Sequence, residues 1–132
     1  MPALATRKPK RKTETALTRE IMVALNRLPG VHVFRNNTGA LADETGRVVY
    51  YGLGKGSPDL VGWVTGSMVA SGMSHWCNVA RFLGVEVKMP GKMRAHPEVL
   101  ENQDRWRDMI EAAGGIYVRV TSVEEAVRLV RG

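Results

Sequence analysis

Between Thr13 and Leu28, the residues Leu17, Ile21, Ala24, Leu25 and Leu28 recur at the interval that puts them on one helical stripe. Thr13 suits the first-turn cap, and Pro29-Gly30 stops the last turn. Val31-His32-Val33-Phe34 has strand composition and runs into the polar stretch Arg35-Asn36-Asn37-Thr38-Gly39. Residues 40–46 read as a loop around Asp43, Glu44 and Gly46, and Arg47 to Tyr51 as a second strand. Leu60 to Val64 and Val79 to Lys88 read as two strands of a hairpin, joined by a long connection over 65–78 rich in Gly, Ser and Met. A helix is predicted from Pro97 and Glu98 to Gly114-Gly115, with Val99, Gln103, Trp106, Ile110 and Ala113 as its inward stripe. Ile116 to Val120 is a further strand, and Ser122-Val123-Glu124-Glu125 is a capping box opening a helix to Arg131. Strands that cross over through helices predict an α/β fold, a mixed sheet flanked by helices.

The informative positions are those that break this pattern. Asp59 opens one apolar strand, and Glu86 and Lys88 lie near the end of another. A carboxylate beside apolar strand residues costs free energy unless a partner compensates it, and a divalent cation is a frequent partner. Side chains two apart on a strand share a face, so Glu86 and Lys88 point together while Val85 and Val87 point away. Pairing of the two strands could bring Asp59 beside Glu86. Gln103 is the polar anomaly on its helix's stripe, and either Glu14 or Glu20 on the first helix could face the sheet.

Gly52-Leu53-Gly54-Lys55-Gly56-Ser57 invites comparison with a phosphate-binding loop, but the comparison fails. Such a loop needs Gly-Lys followed at once by Ser or Thr and then a helix, whereas here Gly56 follows Lys55 and Pro58 leads into a strand. Flexible backbone delivering Asp59 to a strand start is the better account.

Composition narrows the classes. A chain of 132 residues, 44% hydrophobic and 24% charged, suits one domain, expected over 13–132, and excludes disordered and fibrous classes. The absence of a long apolar run or signal-like segment, together with a single cysteine, Cys77, predicts a reducing cytoplasm. The net charge is +6, and Arg7, Lys8, Lys10, Arg11 and Lys12 lie in a flexible arm over 1–12. Taking these five from the 19 leaves 14 basic residues against 13 acidic, so the arm is the part suited to a phosphate backbone. Lys92, Arg94, Arg105 and Arg107 form a second basic cluster. His32, His75 and His96 have no ligand spacing, so no zinc site is expected. Trp63, Trp76 and Trp106 are expected to serve the core in preference to stacking on bases, with Trp76 the one to test for DNA contact.

Hard oxygen ligands of Asp59 and Glu86, with the backbone carbonyl of Val87, suit Mg²⁺ or Mn²⁺. Lys88 beside them could orient or deprotonate a water, or neutralise phosphoryl charge. A structural ion pair between Glu86 and Lys88, in a protein that binds nucleic acid without cutting it, is the competing account.

Pro58-Asp59 followed by Glu86-Val87-Lys88 resembles the signature of the PD-(D/E)XK nuclease superfamily. More closely, Arg35-Asn36-Asn37-Thr38-Gly39, Tyr51-Gly52, Gly56-Ser57-Pro58-Asp59-Leu60, Gly84-Val85-Glu86-Val87-Lys88, Gln103 and Gly114-Gly115 resemble the VRR-NUC (virus-type replication-repair nuclease) domain in order and type. The resemblance implies a restriction-endonuclease-like core in αβββαβ order. It also implies Mg²⁺- or Mn²⁺-dependent DNA cleavage leaving 5′-phosphate and 3′-hydroxyl ends. It favours Glu14 over Glu20, so that the catalytic set is Glu14, Asp59, Glu86, Lys88 and Gln103. Arg35, Asn36, Lys55, Lys92 and Arg94 are the expected DNA contacts. Thr18 stands where the family often has Gln. Stand-alone members of this size resemble homodimeric Holliday-junction resolvases, which makes branched DNA the expected substrate and the cytoplasm of a bacterium or phage-infected cell the expected compartment. A restriction-type endonuclease on the same core is the remaining alternative.

Overall fold

The computed structural model describes residues 13–68, 77–91 and 96–132. The elements run α1 (Glu14–Asn26), β1 (Val31–Arg35), β2 (Gly39–Ala42), β3 (Val48–Tyr51), β4 (Leu60–Met68), β5 (Cys77–Val87), α2 (Pro97–Ala112), β6 (Ile116–Val120) and α3 (Val123–Arg131). The fold is mixed α/β. Four strands form the main sheet in the order β1-β4-β5-β6, while β2 and β3 pair with each other as a separate hairpin. The pairs β1–β4 and β4–β5 are antiparallel, and β5–β6 is parallel. A parallel pair needs a crossover, which α2 supplies.

One face of the sheet is the core. Val31 and Val33 of β1, Leu60 of β4, Leu83, Val85 and Val87 of β5, and Val118 and Val120 of β6 are all buried. They meet Leu17, Ile21 and Leu25 of α1 and Ala126 and Val130 of α3 in one cluster. Each fully buried leucine or isoleucine contributes about 1.5–3 kcal/mol relative to exposure. The helix caps are local and sequence-encoded: the Thr13 hydroxyl accepts from the Ala16 amide at 3.1 Å, and the Ser122 hydroxyl from the Glu125 amide at 3.1 Å. The Glu125 carboxylate reaches back to the Thr121 amide rather than to Ser122's own. His96 occupies the N-cap of α2, but its side chain makes no capping bond.

The structure departs from the sequence expectations in four places. Residues 39–42 form a strand rather than a loop, and the turn after them is tied by Asp43, whose Oδ1 accepts from the Thr45 amide, the Thr45 hydroxyl and the Arg47 amide. Those bonds, the Thr45 hydroxyl's first, hold the Asp43 pKa below its ordinary value. The hairpin strands extend to Met68 and begin at Cys77, leaving only 69–76 of the long connection outside the described residues. Val99 and Ala113 of the expected α2 stripe are exposed, because α2 packs only through the stretch spanning Gln103 and Ile110. Trp63 is exposed rather than core, lying on the face of β4 that neither α1 nor α3 covers. The basic arm, Lys92, Arg94, His75 and Trp76 lie outside the described residues. Among the described residues, no helix is long and apolar enough to cross a membrane.

Candidate metal centre

The strand register places the carboxylates. Leu60 pairs with Val85, so Asp59, one residue earlier, falls opposite Glu86. The contact is direct: Asp59 Oδ2 accepts the Val87 amide at 2.7 Å, 28 residues along the chain. Asp59 is held there from the other side by Asn36. The Asn36 amide nitrogen of the backbone donates to the Asp59 carbonyl at 2.9 Å, and its side-chain nitrogen donates to the Pro58 carbonyl and the Ser57 hydroxyl, each at 2.8 Å. The side chain of Asn36, one of the expected DNA contacts, thus also fixes Ser57-Pro58-Asp59.

The glycine-rich stretch before Asp59 is folded onto α2. The Trp106 indole donates to the Lys55 carbonyl at 3.0 Å. Gly56 has φ +80°, and a Cβ there would lie 2.6 Å from Asn102. Glycine is thus required twice over, for conformation and for close approach. Gly84 plays the matching part on β5: a Cβ would meet Pro58 Cγ at 2.7 Å and Ile110 Cδ1 at 3.0 Å. These approaches seat α2 against the strand ends and bring Gln103 over Glu86.

Glu86 is 5% exposed and Gln103 likewise 5%. Gln103 Nε2 donates to Glu86 Oε1 at 3.0 Å, and Lys88 Nζ lies 3.4 Å from the same oxygen. Among the described residues, Glu86 Oε2 is buried without a hydrogen-bond partner. Burial, and secondarily the Asp59 carboxylate, push the Glu86 pKa up to about 7, with the Lys88 ammonium opposing them. Asp59 is raised in the same way, first by burial, with the Val87 amide opposing and the Glu14 carboxylate adding to the rise. Glu14 is therefore close enough for its charge to be felt at the site. Glu20 instead lines a cleft with Leu17, Met89, Pro90 and Thr121.

One nearby cation was not anticipated from the sequence. Arg119 stands opposite Glu86 in the parallel β5–β6 register, and its charge favours the ionised Glu86. It is pinned between Asp104 of α2 and the Tyr117 hydroxyl. The signal available in the sequence was the alternation of Tyr117 and Arg119 with the apolar Ile116, Val118 and Val120; it fixes a face but not a neighbour. Of the other expected contacts, Arg35 and Lys55 are exposed. Arg105 pairs with Glu101, and Arg107 with Asp104 and Asp108.

The donor set fits a hard divalent cation. Among the described residues no three or more His, Cys, Asp or Glu side chains gather into a metal-holding group. Mg²⁺, however, is commonly held by one or two carboxylates plus waters and substrate phosphates. Glu86 Oε2, which has no hydrogen-bond partner among the described residues and lies in a buried site where the charge of Asp59 is felt, is the acceptor such a cation would satisfy. Comparison with known proteins gives no match: neither a family profile, nor a curated protein, nor a solved structure is significantly similar to this chain.

Proposed function

We propose that this protein is a Mg²⁺- or Mn²⁺-dependent deoxyribonuclease of the VRR-NUC type, hydrolysing phosphodiester bonds at the Asp59–Glu86–Lys88 centre. The observation that carries the proposal is the buried Glu86: one oxygen is shared by Gln103 and Lys88, and the other has no hydrogen-bond partner among the described residues, beside a second carboxylate held in register. A purely structural Glu86–Lys88 pair would account for Lys88 but leaves Glu86 Oε2 as an uncompensated cost. The chain order of the main-sheet elements also supports the reading: with the β2–β3 hairpin set aside, they run α1, β1, β4, β5, α2, β6, the αβββαβ order of restriction-endonuclease-like cores.

In this reading Asp59, Glu86 and the Val87 carbonyl hold the cation. When bound, it supplies Lewis-acid neutralisation of phosphoryl charge and a lowered water pKa. Lys88, one-third exposed and fixed by Glu86, orients the attacking water or neutralises charge on the phosphoryl oxygens. Gln103 fixes the Glu86 rotamer, and Glu14 completes the acidic side. Branched DNA is the proposed substrate and a homodimer, with two such centres, the proposed assembly.

The test is cleavage of Holliday junctions, flaps and linear duplex with Mg²⁺, Mn²⁺ or chelator, beside Asp59→Asn and Lys88→Ala. Metal-dependent cutting lost in both variants is expected. No cutting of any substrate with either metal, or unimpaired cutting by both variants, refutes the proposal.

A further inference from the structure

The face of the sheet that carries Asp59 and Glu86 continues beyond them as a partly exposed aromatic surface. Along β4 the alternation that points Asp59 outward continues through Val61 to Trp63. Register places Trp63 between His32 of β1 and Phe82 of β5, with Phe34 beside Val61. The His32 and Trp63 ring centroids are 5.2 Å apart, and those of Phe34 and Trp63 5.7 Å. Phe34 is 54% exposed, Phe82 41% and Trp63 36%. α2 packs on β5 and β6 of this face, while α1 and α3 pack on the other. Three exposed rings flanked by an imidazole, on three adjacent strands, are costly to leave in water without a use.

Two observations say what fits there. Trp63 is four residues from Asp59, about 13 Å along an extended strand, so a chain engaged at the carboxylates passes over the rings within a few nucleotides. The charges also suit a polyanion: the cations on this face of the sheet, Lys88 and Arg119, lie beside Glu86. β1, β4 and β5 carry no acidic residue except Glu86 of the site itself, while Arg35 and Arg81, paired with Leu60 and Val64, lie on the other face. Every nucleobase has a π-face, and an aromatic sheet surface beside cationic groups is how unpaired strands are commonly held.

We infer that His32, Phe34, Trp63 and Phe82 form a stacking platform for the unpaired bases of a single-stranded nucleic-acid segment, which positions a flap or junction arm against the Asp59–Glu86 centre. The inference rests on the nuclease reading, and it adds what selects the substrate: unpaired bases next to the scissile bond.

The test is fluorescence-anisotropy binding in Mg²⁺, in the cleavage-impaired Lys88→Ala background. An oligothymidylate is compared with an abasic oligonucleotide of equal length and charge. Stacking predicts roughly tenfold tighter binding of the thymidylate, with the preference abolished by Trp63→Ser and retained by Trp63→Tyr. Phe34→Ser, which reduces the preference, serves where Trp63→Ser fails to fold by circular dichroism. Equal binding of the two oligonucleotides overturns the platform, as does a preference that survives both serine variants. A change from dimer to monomer in Trp63→Ser, with the base preference intact, also overturns it and makes this face a contact between copies. The two readings fail separately. DNA cleavage without base preference refutes the platform alone, whereas base preference in a wild type that cuts no DNA refutes the nuclease alone.

Discussion

The two faces of strand β5 obey different rules. Leu83, Val85 and Val87 point to α1 and α3 and are wholly buried among aliphatic side chains. Phe82, Gly84 and Glu86, interleaved with them, point the other way to an exposed ring, a glycine forced by close packing, and a buried carboxylate. On the first face every residue lowers the free energy of the fold by leaving water. On the second, each departs from what a sheet would choose for stability alone. Sites of local conflict of this kind are where function is expected, because selection tolerates the cost only for a return in activity.

This contrast can be broken from either side. The largest expected effect is on activity: Lys88→Ala lowers the cleavage rate by about 10²–10³-fold, the scale of losing one positioned charge or donor, with a thermal melting temperature near wild type. A Lys88→Ala protein that cuts normally would erase the distinction. Leu83→Ala, on the opposite face, inverts the result. It costs about 2–5 kcal/mol of stability through the cavity left in the core, read by urea denaturation, while the surviving folded protein retains its specific activity.

The third prediction concerns pH. In metal-free protein, Glu86 has a pKa of about 7 when folded, against 4.5 ordinarily. Because the folded value is the higher one, the stabilising contribution is complete below about pH 4.5 and is lost as pH rises through about 7. That span corresponds to about 3 kcal/mol at about 1.4 kcal/mol per unit. Glu86→Gln removes this dependence, so its stability curve is flatter between these pH values and it is the more stable protein at pH 8. A wild-type curve that instead rises from pH 4.5 to 8 contradicts the burial of this carboxyl. The smallest effect is at the support: Asn36→Ala loses its bonds to Ser57 and Pro58, costs about 1–2 kcal/mol, and lowers cleavage by loosening Asp59 rather than by touching DNA.

Much of the carboxylate centre was legible because it depends on short-range rules. A period of two puts Glu86 and Lys88 on one face, a hairpin brings Asp59 to Glu86, and Gln103 stands out on an apolar stripe. What escaped depends on the third dimension. Gly39-Ala40-Leu41-Ala42 forms a strand although both its faces are largely exposed, so no burial alternation marks it. Arg119 reaches the neighbourhood of Glu86 only through parallel pairing across the α2 crossover, a register no local pattern encodes. Trp63 looked like core because a strand's alternation names two faces without saying which a helix covers. The tether that Asn36 makes to Ser57 and Pro58 escaped because an exposed polar loop and a tether between loops share the same composition.

The central claim, that Asp59 and Glu86 jointly hold a divalent cation, is tested most directly by thermal melting with increasing Mn²⁺ at pH 8, where Glu86 is predominantly ionised. A ligand that binds only the folded state raises the melting temperature as its concentration exceeds its dissociation constant. Wild type is expected to melt progressively higher with Mn²⁺, while Asp59→Asn and Glu86→Gln show no such rise. An unchanged wild-type melting temperature, or the same Mn²⁺-dependent rise in all three proteins, would contradict the account.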